Sequence, residues 1–253
     1  MPEESMPDES TGTPVIVLIN GPCSAGKTAI GDALQRCSRL PFLHTGVDFF
    51  MRSLGERHLD VDGALLPSGY AGFGSEKGEK SVQGFQVSRE GEGEGATLQV
   101  AMGPVARRFI LGMHRSFAAM ASAGNHLIIA DVITEPLMHS YVEALAEQRV
   151  FLVGLHCSLE ELERREKARG DRLVGSAQIQ YQRVHQPGIY DLELHSDAGS
   201  PEQCAETIET ALQEWLRSGM PSGALQRLQD HFGAAPVTLP DRLYADAVEE
   251  RSL

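Results

Sequence analysis

Basic residues are scarce in this chain. Its 253 residues include 22 Lys and Arg against 35 Asp and Glu, a formal net charge of −13 at pH 7. A general nucleic-acid binder needs a cationic face to displace counterions from phosphates, so that class is disfavoured, as is docking on an anionic membrane surface. Long apolar runs are missing too. Runs such as Val15–Ile19 and Leu127–Ala130 are strand-sized, well short of the roughly 20 residues of a membrane span. The first ten residues, MPEESMPDES, have neither the basic start nor the apolar stretch of a secretion signal. Cysteine is sparse, and Cys23, Cys37, Cys157 and Cys204 show no metal-type spacing. Reduced thiols in a cytoplasmic protein are therefore expected. What remains is ordinary globular composition, 42% hydrophobic and 23% charged, with enough length to bury a sizeable core.

Short apolar runs alternate with helical patterns along most of the chain. Residues 14–20 (PVIVLIN) read as a buried strand, and AIGDALQRCSRL follows with Ile30, Leu34 and Cys37 on one helical face. Residues 41–47 form a second strand ending at Asp48, with a short helix expected from Phe49 to Leu59. Gly103 and Pro104 open a helix that runs to a terminal glycine. Further strands are expected at 125–130, stopping at Asp131, and at 149–155, with helices at 135–147, after Ser158, and at 201–217. This alternation predicts βαβ units. The expected fold is α/β, a doubly wound parallel sheet with helices on both faces, whose ligands bind at the carboxyl ends of the strands. Three regions stand apart. Residues 1–13 read as a disordered acidic arm. Residues from about 60 to 100 are a Gly/Glu-rich insertion in which 84–88 and 96–100 can pair as a hairpin. Residues 218–253 read as a peripheral C-terminal extension of a domain spanning 14–217.

If this acidic protein handles a phosphorylated anion, a local cationic site has to act against a repulsive overall field. One motif supplies such a site. Gly21-Pro22-Cys23-Ser24-Ala25-Gly26-Lys27-Thr28 matches G-x-x-x-x-G-K-[ST] in full. Its glycines allow a tight loop whose N–H groups face phosphate oxygens, and the helix that follows adds a favourable dipole. Lys27 is expected to reach the β- and γ-phosphates of ATP, and the Thr28 hydroxyl to ligate Mg²⁺. The motif follows an apolar strand and opens an amphipathic helix, as a P-loop does.

Two acids end apolar strands, Asp48 after FLHTGV and Asp131 after HLIIA. Asp131 reads as the strand-terminal acid that helps hold Mg²⁺; one acid can assist the metal while the other takes a proton from an acceptor hydroxyl. The plainer reading of each is a helix N-cap. LERREKARGDR carries Arg164, Arg165, Lys167, Arg169 and Arg172. A solvated Glu/Arg face accounts for Arg164 and Lys167. Arg169 and Arg172 flank Gly170 and suit a hinged lid over phosphates. His44, His114, His185 and His195 read as surface or packing residues. Phe42, Phe49, Phe50 and Met51 near Asp48 suggest a partly aromatic acceptor pocket.

The succession GPCSAGKT, HTGVDFF, LIIADVI, HCSLEELERREKARGDRLVGSAQIQ and VHQPGIYDLELHSD resembles the chloramphenicol phosphotransferase family of P-loop kinases, over roughly Val15 to Trp215. The resemblance implies a kinase-like sheet with a helical lid at about 158–185. It also implies transfer of the ATP γ-phosphoryl group to a hydroxyl of a chloramphenicol-like antibiotic. It makes Asp48 the general base, Gly21 to Thr28 the ATP phosphate site, Asp131 the acid after the central strand and Arg169 and Arg172 the lid arginines, with Lys27 also catalytic. This chain departs from the family where Ala130-Asp131 replaces a pair of adjacent acids and where bulky Phe49-Phe50 follows Asp48. Two other functions fit the same motifs: a kinase of a metabolite or nucleoside, and a nucleotide-dependent switch that binds a protein partner through the C-terminal extension. The acidity leans toward a neutral hydroxyl acceptor.

Overall fold

The computed structural model describes residues 13–55, 58–61, 83–90, 97–169, 175–219 and 223–243. The acidic arm before Thr13, most of the Gly/Glu-rich insertion, Gly170, Arg172 and the last ten residues lie outside them. A five-stranded sheet organises the rest. Its strands are β1 (Ile16–Asn20), β2 (Phe42–Gly46), β6 (His126–Asp131), β7 (Val150–His156) and β8 (Leu192–His195), in the order β2-β6-β1-β7-β8. Every pairing in it is parallel.

The side-chain period of two explains why both faces are covered. Along β1, Ile16 and Leu18 enter one apolar cluster while Val15, Val17 and Ile19 enter the other. Strands β6 and β7 alternate in the same way: Leu127, Ile129 and Leu152 lie on one side, Ile128, Phe151 and Val153 on the other. Helices α3 (Pro104–Ser122), α4 (Glu135–Ala144) and α8 (Ala224–Phe232) cover the first face. The second is covered by α1 (Lys27–Cys37), α5 (Leu159–Arg169) and α7 (Pro201–Arg217). The fold is thus the doubly wound α/β architecture expected. Among the described residues no helix is long and apolar enough to cross a membrane.

A second sheet of three strands, β3 (Leu59–Val61), β4 (Phe85–Glu90) and β5 (Thr97–Met102), sits beside the first. Strands β4 and β5 form an antiparallel hairpin, and β3 pairs in parallel with β4. Val87 and Leu98 of this sheet pack on Ile179 of α6 (Ser176–Tyr181). The short helix expected from Phe49 to Leu59 is smaller than that: α2 spans Val47–Met51, and Leu59 already pairs with Phe85 in β3. Phe50, within this helix, packs against the core, edge-on to Phe117 of α3 at 5.2 Å.

Residues after 217, expected as a peripheral extension, are part of the core as far as they are described. Ala224, Leu228 and Leu239 are buried in the first cluster. Asp191 ties the segment down, accepting from Ala224 N–H (2.7 Å) with one carboxylate oxygen and from Leu152 N–H (2.9 Å) with the other. Further on, Leu243 N–H donates to Val100 O (2.9 Å), so the chain edges β5.

Candidate active site

Parallel register brings the motif residues to one rim. Asn20 ends β1 opposite Asp131 of β6, and Gly46 of β2 lies opposite Ala130. The rim therefore runs from α2 with Asp48, through Asp131, to the loop after Asn20. Gly46 is what lets β2 close on β6 there: a Cβ on it would stand 2.1 Å from Ala130 O.

The loop from Gly21 to Gly26 turns through two left-handed residues, Ser24 (φ 64°) and Gly26 (φ 94°). Gly26 is the N-cap of α1, and the first turn of that helix carries no acid. No carboxylate of that turn and no side-chain cap meets its positive end. Lys27 folds back and donates to Gly21 O and Pro22 O, each at 2.8 Å. Thr28 is exposed at the start of α1.

The two acids differ sharply. Asp131 is 3% exposed. Its Oδ1 accepts from Val132 N–H and its Oδ2 from Tyr141 O–H, both at 2.6 Å. Burial pushes its carboxyl up from the ordinary value. The two hydrogen bonds and Lys27 oppose that, while the charge on Asp48 adds to it. Asp48 is exposed in the first turn of α2. Neither acid is a helix N-cap: that position is Thr134 for α4 and Gly46 for α2.

The lid expected at 158–185 is described at its two ends. Arg169 closes α5 and is exposed, and Arg172 lies outside the described residues. Buried Glu166 joins the ends, its two oxygens accepting from Gly175 N–H and Ala177 N–H at 2.8 Å each. From α6, Gln180 Oε1 accepts from Cys23 N–H at 2.7 Å, so this segment touches the phosphate loop directly. Arg165 forms its i,i+4 pair with Glu161 (2.7 Å) but also reaches Ser196 O (3.1 Å) and Ala25 O (3.4 Å), joining the loop to the end of β8. Arg164 stays on the surface with Glu161.

Asn20 is fully buried and holds the floor of the site together. Its amide nitrogen is within reach of Val184 O (2.7 Å), Tyr190 Oη (3.0 Å) and Ile133 O (3.2 Å), and its oxygen accepts from Ile133 N–H (2.8 Å). Tyr190 in turn bonds His185 Nδ1 at 2.9 Å. Burial, then the neighbouring His156, Lys27 and His195, push His185 down to about 4. His114 is buried among α3 and α4, and His44 pairs with Asp32 at 2.8 Å. Of the aromatic group, Phe42 is buried and Phe50 packs on the core, whereas Phe49 is 68% exposed next to Asp48.

Sequence reasoning gave no role to Asn20, Tyr141, Gln180 or Tyr190, and named Arg165 only as one of a cluster of cations. Asn20 left a trace as one amide ending an otherwise apolar strand. Among the described residues there is no group of three or more His, Cys, Asp or Glu able to hold a metal. A Mg²⁺ that arrives with a nucleotide needs no such cage, because phosphates and water fill most of its octahedron. A hydroxyl on Thr28 and an anchored carboxylate on Asp131 are hard oxygen donors that fit it.

The family model described as chloramphenicol phosphotransferase-like protein matches residues 14–213. The chain belongs to that family. A Mycobacterium tuberculosis protein named "Putative O-phosphotransferase", found in two strains, is 29% identical over 199 residues, 78% of this chain and 82% of its own length. Similar solved structures include an M. tuberculosis APS kinase in complex with AMPPNP and APS. It is 14% identical, with 79% of this chain and 98% of that one covered and a TM-score of 0.48. Another is a shikimate kinase from Acinetobacter baumannii in complex with shikimate, 17% identical, with 82% and 96% covered and a TM-score of 0.46. Family membership together with the P-loop motif supports a kinase-type phosphotransferase.

Proposed function

We propose that the protein is an ATP-dependent O-phosphotransferase that moves the γ-phosphoryl group to a hydroxyl of a neutral small molecule, with a chloramphenicol-like antibiotic as the first candidate. The observation that carries this reading is the strand register, which sets α2 with Asp48, then Asp131, then the phosphate loop side by side along one rim.

In this mechanism the loop N–H groups and the N-terminus of α1 take the phosphates. Lys27 leaves Gly21 O and Pro22 O for the β- and γ-phosphate oxygens. Thr28 and Asp131 would hold Mg²⁺, which when bound neutralises charge on the β- and γ-phosphates. Asp48 accepts the proton of the acceptor hydroxyl as its oxygen bonds to the γ-phosphorus. The bond from that phosphorus to the β,γ-bridging oxygen breaks, ADP leaves, and Asp48 returns its proton to water. Arg169 and Arg172 meet the charge on the transferred group and, with the lid, exclude water. Phe49, beside Asp48, offers the acceptor an exposed ring.

The test is a panel of hydroxyl compounds, with chloramphenicol, other metabolites and nucleosides among them, incubated with ATP and Mg²⁺ and read by mass spectrometry. At least one compound gains a phosphate. ATP hydrolysis at the same rate with and without every compound, and no phosphorylated product, would overturn the proposal in favour of a nucleotide-dependent switch.

A further inference from the structure

One hydrogen bond behind Asp131 is required by no step above. Tyr141 of α4 is 1% exposed and donates its O–H to Asp131 Oδ2 at 2.6 Å, while Val132 N–H donates to Oδ1 at the same distance. Two donors on different oxygens fix both the position and the rotation of a carboxylate, and each oxygen keeps a lone pair for another partner. A core position of this kind needs only a ring. Its hydroxyl is costly to bury unless bonded, and here the bond goes to the strand-end acid.

The tyrosine is itself held. Its ring stacks on His114 of α3 at 3.7 Å and lies parallel to Phe117 at 6.2 Å. His114 is anchored through Nδ1 to Ser140 Oγ at 2.8 Å, and burial holds its pKa down to about 3, so the ring stays neutral.

We propose that Tyr141 is a positioning residue for phosphoryl transfer, holding the Asp131 carboxylate in the orientation that receives the divalent metal bound with the nucleotide. This rests on the reading of Asp131 as metal-linked. Hydrogen-bond partners of metal-binding carboxylates typically influence affinity by about 10- to 100-fold, and Tyr141 stands in that relation to Asp131.

The test uses Mn²⁺ as the metal probe, its free concentration read by electron paramagnetic resonance, with a non-hydrolysable ATP analogue and the full chain. In Tyr141→Phe, Mn²⁺ affinity of the protein–analogue complex falls by about tenfold or more, while analogue binding in EDTA stays as in wild type. Ser140→Ala cuts the His114 anchor but leaves the O–H, and it binds Mn²⁺ as wild type does. Unchanged Mn²⁺ affinity in Tyr141→Phe overturns the proposal, and so does an equal loss in Ser140→Ala, which would make packing the cause. Asp131→Asn separates the two layers. If it leaves Mn²⁺ affinity intact, the metal-linked reading of Asp131 fails and takes the proposal with it. If it weakens Mn²⁺ while Tyr141→Phe does not, the role of Tyr141 alone is rejected. The readout is a ratio of metal-loaded to metal-free binding, so a variant that melts earlier remains readable in the cold.

Discussion

Asp131 ends β6 and Asp48 follows the neighbouring β2 in the first turn of α2, and the charge on Asp48 raises the Asp131 pKa, yet the two acids sit in opposite surroundings. Asp131 is nearly inaccessible, with one donor on each oxygen and a packed tyrosine behind it. Asp48 stands exposed in the first turn of a five-residue helix, next to a phenylalanine that is also exposed. A group that meets a metal in one fixed place gains from being immobilised. A group that must meet an incoming hydroxyl has to be reachable. In the proposed mechanism the division of labour between two chemically identical side chains follows their burial, in the same way that catalytic carboxylates elsewhere are assigned roles by environment.

The contrast can be broken most directly at Asp48. Asp48→Asn lowers turnover by about 10²- to 10⁴-fold, while calorimetry finds nucleotide affinity unchanged. A parallel loss of nucleotide affinity would put Asp48 on the nucleotide side and erase the contrast.

Asp131→Asn lowers the rate through weaker Mg²⁺ binding and has an effect of opposite sign on stability. The fold raises the Asp131 carboxyl above its unfolded value, so the folded state favours the protonated acid. Stability is then lost as pH rises through the unfolded value toward the folded one. Melting curves across pH should find Asp131→Asn more stable than wild type near neutrality, with the gap closing in acid. A variant less stable than wild type at neutral pH would mean that the two hydrogen bonds outweigh the burial.

The smallest effect is expected at Phe49. Phe49→Ala raises the acceptor KM by about two- to tenfold, the worth of one aromatic contact, and leaves the melting temperature unchanged because the ring is mostly in water. Steady-state kinetics with the best acceptor of the panel, beside a thermal melt, checks both.

How much of this could be read in the residues follows the range of the forces involved. The phosphate loop is local: a β-branched run, two glycines and a lysine specify strand, turn and helix within fifteen residues, Val15 to Ala29, and the structure has them there. The rim positions of Asp48 and Asp131 follow from strand ends, which apolar runs mark well. The end of α2 does not, because Phe50 turns toward Phe117 and Leu59 pairs with Phe85, partners far along the chain. Helix α8 carried its signal in Ala224, Leu228 and Phe232 at helical spacing, but its docking depends on Asp191, which the sequence does not connect to it. Tyr141, Gln180 and Arg165 look like any residues of an amphipathic helix until the fold brings them to Asp131 or the loop.

The most direct test of the central claim is the rate of ADP formation measured with and without a phosphorylatable acceptor, in wild type and in Asp48→Asn. The account predicts that wild type forms ADP only as fast as acceptor is phosphorylated, and that Asp48→Asn loses this acceptor-dependent rate while still binding nucleotide. Equal ADP formation in both proteins, indifferent to acceptor, would contradict it.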